Sequence, residues 1–116
     1  MNLNQLFIDK AGRVNANLAS TRFHDAFMDA AISVVTDIGN RCRADVTIPD
    51  DIEDDIGLDY RYKPVLSAGI DWYLHLRSEW NVDNPVQLNN SYESEKSKAW
   101  SIYDQDNTIG RRDGVS

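Results

Sequence analysis

Two groupings in this chain have residue types and spacings that chemistry uses. Asp71 and His75 lie four apart, so a helix places them on one face, where a carboxylate could orient an imidazole for general-base work. Asp50, Asp51, Glu53, Asp54, Asp55 and Asp59 fall in a window without a basic residue, and clustered carboxylates suit Mg²⁺ or Ca²⁺. Neither grouping is complete. No nucleophile or glycine-rich oxyanion loop accompanies Asp71 and His75, and such pairs also simply support a helix. The acidic run lacks the ligand order and central glycine of an EF-hand loop, and reads as solvated.

Other chemistries lack their residues. His24, His75 and Cys42 do not make a zinc spacing, and Gly57, Gly69 and Gly110 are too isolated for a phosphate-binding loop or a dinucleotide fingerprint. Cys42 is alone, which excludes an intrachain disulfide and reads as an ordinary reduced residue near a helix end. Arg111-Arg112 is too short for a nucleic-acid patch. The expectation is a non-enzyme with no catalytic residue, metal or cofactor.

The chain's 116 residues fit one domain, and 41% hydrophobic with 27% charged residues is a globular mix. A net charge of −7 argues against phosphate-backbone binding, which needs clustered Lys and Arg. No apolar run approaches the ~20 residues that span a bilayer, and the first residues lack the pattern of a signal peptide; no membrane association is expected. Acids gather in the first half, around Asp50–Asp59, while eight of eleven aromatics lie between Tyr60 and Tyr103.

Hydrophobic spacing gives the elements that would position these residues. A short helix is expected from about Asn2 to Lys10, with Asn2 and Gln5 at capping-box spacing and Gly12 as a stop. Ser20 or Thr21 caps a second helix, which ends near Gly39-Asn40 and buries Phe23, Phe27, Ala30, Ala31, Val34 and Ile38. Asp45-Val46-Thr47-Ile48 alternates like a short strand that Pro49 ends, and Asp50 to Leu58 forms a long acidic connector.

From Pro64 to Trp80 the pattern is apolar over most of the helical circumference, leaving Ser67, Asp71, His75 and Ser78 as a polar strip. Such a helix belongs at the centre of its fold. Gly69 lowers its helix propensity by about 1 kcal/mol, which implies close packing by a neighbour. Asn81 to Asn84 forms a short loop. Asn84, Pro85 and Gln87 then start a helix of about 19 residues, whose face carries Leu88, Tyr92, Ala99, Ile102 and Tyr103. Glu95 lies in that stripe and needs a partner, or lies where the stripe meets another subunit, unless it reaches solvent as a surface carboxylate. The fold class is all-α: a small bundle of about four helices in one domain, 1–103, followed by a flexible tail, 104–116.

The helix beginning Phe23-His24-Asp25-Ala26-Phe27, the aliphatic-proline connector, the run from Tyr60 to Leu74 and the helix with Tyr92, Ala99-Trp100 and Tyr103 come in a telling order. Over residues 20–103 this resembles the head–tail connector, or neck adaptor, proteins of tailed bacteriophages. The acidic connector is longer and more charged than the family pattern. The resemblance implies a structural virion protein, assembled in the host cytoplasm and located in the neck between capsid and tail. Such proteins form a homo-oligomeric ring, commonly twelve-fold, beneath the portal protein. They join it to the tail or a second neck protein, and DNA passes nearby without specific binding.

The residues expected to meet neighbours are Asp50, Asp51, Glu53, Asp54, Asp55, Glu95, Ile109, Arg111 and Arg112. An acidic surface suits a conduit, because it repels phosphates instead of holding them. The alternative is a small acidic nucleic-acid mimic that inhibits a basic host protein. That function calls for orderly rows of acids at phosphate spacing, whereas these acids bunch in one segment.

Overall fold

The computed structural model describes residues 1–76 and 85–115, the side chains of 103 and 106–115 excepted. Its elements in chain order are α1 (Asn4–Arg13), α2 (Thr21–Arg41), a 3-10 turn (Tyr60–Tyr62), α3 (Lys63–Leu76) and α4 (Pro85–Val115). The all-α expectation holds: the described residues contain no strand. The loop expected at Asn81 to Asn84 and the end of the helix expected at Trp80 lie outside the described residues.

α3 is the central helix, packing against both α2 and α4. Val65, Leu66, Ile70 and Leu74 are buried, as a helix flanked on two sides requires. The close approach implied by Gly69 is present. A Cβ there would lie 2.7 Å from Tyr92 Cε1 and 2.7 Å from Val34 Cγ2, so α2 and α4 converge where α3 has no side chain. The apolar stripe of α2 is buried as its spacing requires, and the Ser20 hydroxyl accepts the Phe23 amide at 3.2 Å as the N-cap. α2 and α4 run in the same sense, because Asp37 meets Tyr92 and Arg43 meets Trp100.

Three helix ends and one short strand differ from the sequence expectation. α1 passes through Gly12 to Arg13, because Lys10 and Arg13 both reach Asp71 on α3 and hold one more turn in place. Leu3, its N-cap residue, makes no side-chain capping bond, but Asn2 Oδ1 accepts the Asn4 amide at 3.2 Å. α2 continues past Gly39, which serves as a seat for Val46: a Cβ at Gly39 would meet Val46 Cγ2 at 2.7 Å. The strand expected at Asp45–Ile48 is absent. That segment is joined to the later connector by the Thr47 amide donating to the Ile56 carbonyl at 2.9 Å, and one bond does not make a ladder. The backbone of α4 is helical to Val115, beyond the end set by the apolar pattern at Tyr103.

Candidate interaction surface

The acidic connector is organised by its own backbone. Asp54 Oδ2 accepts the amides of Asp50 and Asp51 at 2.9 and 3.1 Å, and Asp55 Oδ1 accepts the Gly57 amide at 2.8 Å. These are Asx-type bonds, in which a carboxylate satisfies turn amides that no helix or sheet serves. Gly57 has φ +83, and a Cβ there would sit 3.2 Å from the Asp45 carbonyl, so the turn needs glycine twice over.

The connector is also fastened to the start of the chain. The Leu3 amide donates to the Ile52 carbonyl and the Ile56 amide to the Met1 carbonyl, both at 2.9 Å. The Met1 α-amino group donates to Asp55 Oδ1 at 3.1 Å and to the Leu58 carbonyl at 3.0 Å. Ile56 and Leu58 are buried beneath, so what reads as a solvated loop is a fixed layer with an apolar underside.

The five candidate interface acids Asp50, Asp51, Glu53, Asp54 and Asp55 are all exposed on this layer. The Gly57 amide, and then the N-terminal amine, hold the Asp55 carboxyl below its ordinary range. Asp59 is held low by the Arg61 side chain, at 2.8 Å between Nη2 and Oδ2. His24 stands between Asp51 and Asp25, at 3.4 and 3.5 Å. No group of three or more potential metal ligands converges among the described residues.

Glu95 is half-buried and finds its partner one turn on, Lys98 Nζ at 3.2 Å. It borders a polar groove with Arg13, Ser67, Asp71 and Ser91. Tyr60 is 79% exposed next to the connector, and Val86 is 66% exposed at the start of α4. The side chains of Ile109, Arg111 and Arg112 lie outside the described residues.

The Asp71–His75 spacing does not become an acid–base pair. Asp71 is buried, with Lys10 Nζ 2.9 Å from Oδ1 and Arg13 Nη1 3.0 Å from Oδ2. Both carboxylate oxygens are thus engaged by cations of α1. His75 stacks instead on Trp72, centroids 5.8 Å apart. The Ser67 and Asp71 part of the polar strip is thus covered by α1, with Lys10 also donating to Ser67 Oγ at 2.8 Å.

A second polar cluster was not apparent from the sequence. Asp37 accepts the Tyr92 hydroxyl at 2.7 Å and receives Lys96 at 3.3 Å and Arg41 at 3.0 Å. Burial first, and then the Asp37 hydrogen bond, push the Tyr92 phenol far above its ordinary value. Lys96 Nζ sits 4.3 Å from the Tyr92 ring centroid, a cation–π contact. Both clusters join helices to one another, and their members are satisfied by each other.

No described helix is long and apolar enough to cross a membrane. No protein-family model, curated protein or solved structure matches the chain.

Proposed function

We propose that this protein is a structural subunit of a tailed-phage neck. It assembles as a ring under the portal protein, joins it to the tail or a second neck protein, and surrounds the path of the DNA. The observation that carries this reading is the order of elements resembling the neck adaptors, with the small-residue central helix α3 held between α2 and α4 at Gly69. The fixed acidic layer supports it. Carboxylates held on a rigid surface repel passing phosphates and offer oriented acceptors to a basic neighbour. The two buried clusters are spent on packing helices, which also favours a scaffold over an enzyme.

Purified protein mixed with portal rings and viewed by electron microscopy tests the proposal. An added ring layer is expected. Its absence across a range of salt and protein concentrations overturns the reading, whereas a monomer in isolation does not, because a ring of this kind can require a template.

A further inference from the structure

α1 differs from the rest of the bundle in charge and attachment. Its Lys10 and Arg13 against Asp9 give it +1 in a chain of −7, so the remainder carries −8 (−7 less +1). Seven non-helical residues, 14–20, join it to α2, and they turn at Asn15, where φ is +56. Fully extended, seven residues reach about 24 Å.

The place where α1 docks is chemically selective. Phe7 enters between Phe23 and Phe27, with ring centroids 5.5 and 5.2 Å away. Lys10 and Arg13 meet Asp71, and Lys10 meets Ser67. Without α1 the rings of Phe23 and Phe27 would lie open to water and the Asp71 carboxylate would lose both of its cations. The site therefore demands an aromatic residue followed by cations three and six positions later. The α1 of a second copy meets that demand with the same contacts.

We propose that α1 is an exchangeable arm, docking on its own body in the free chain and on the body of the next copy in the assembly. This rests on the ring reading of function. A positive arm reaching a negative body reduces the repulsion between like-charged copies. Handing each arm to the following copy is a heterologous contact, the kind that closes into rings.

Asn15→Val in the full chain tests the exchange. Asparagine tolerates a left-handed turn and a β-branched residue does not, so the substitution weakens the folded-back arm and spares an extended one. The expected result is an association constant about tenfold higher by sedimentation. In mixed labelled and unlabelled chains, isotope-filtered NMR should show Phe7–Phe27 contacts between copies. Unchanged association, at whatever melting temperature, overturns the proposal. So does an associated species whose Phe7–Phe27 contacts all lie within one copy. Contacts between copies without any layer on portal rings would instead retain the arm and reject the neck reading.

Discussion

Gly69→Ala sets two opposed effects against each other at one atom. In an open helix the change stabilises by about 1 kcal/mol, because alanine loses less backbone freedom on folding. Here the new methyl would lie 2.7 Å from Tyr92 Cε1 and 2.7 and 2.9 Å from the two Val34 methyls. Both neighbours are buried, and the Tyr92 hydroxyl is tied to Asp37 at 2.7 Å, so neither ring nor valine can swing aside freely. Overpacking of this kind costs about 1 to 3 kcal/mol. Because three contacts fall below van der Waals distance, the upper part of that range applies, and a net loss of about 1 to 2 kcal/mol follows. Chemical denaturation measures it directly, and the melting temperature should fall by about 5 to 10 °C. In the double variant with Val34→Ala, two of the three close contacts vanish. The losses should then be less than additive, with a coupling of about 1 kcal/mol. A Gly69→Ala protein as stable as the parent, or more so, would refute the convergence of α2 and α4 on this residue.

Other outcomes follow from the charge clusters. Asp71→Ala leaves Lys10 buried without its anion and should cost about 3 to 5 kcal/mol in urea unfolding; a loss under 1 kcal/mol would mean α1 is not held by this pair. Asp55 and Asp59 are held below the ordinary carboxylate range, by the Gly57 amide and the Arg61 side chain respectively. Their contribution is present above pH ~4 and is lost as pH falls through their lower folded values, so melting temperature should decline on acidification below pH 4. A flat profile between pH 5 and pH 2.5 would contradict this. Tyr92 shifts the other way, through burial and Asp37, so its contribution is present below pH ~10 and lost as pH rises beyond. Tyr92→Phe should remove that part of the alkaline decline, and an unchanged alkaline slope in the variant would count against it.

The parts of the fold legible in the sequence were those governed by periodicity and by single residues with strong local preferences. The stripe from Phe23 to Ile38, the Ser20 cap and the crowding at Gly69 needed no knowledge of distant contacts. The misread parts depend on partners far along the chain. Asp71 sits on a polar strip where spacing pairs it only with His75, and its partners lie 61 and 58 positions away, at Lys10 and Arg13. The i, i+3 cations on the α1 side of Phe7 were the available signal. The connector reads as a solvated loop because its acids are exposed, yet its order comes from backbone bonds to Met1 and Leu3 that no spacing reveals. Asp37 and Tyr92 each looked unremarkable on their own helices; only the register of α2 against α4 brings them together.

Cys42 gives the bundle a built-in clock. The thiol is 1% exposed at the end of α2 and donates to the Lys96 carbonyl of α4 at 3.6 Å. Burial, then the nearby Asp37, raise its pKa above the usual thiol value, so little thiolate forms while the helices stay closed. Alkylation must wait until α2 and α4 part. The rate of thiol labelling in excess reagent thus counts openings at this one seam, in the free chain or in an assembly, without any introduced probe.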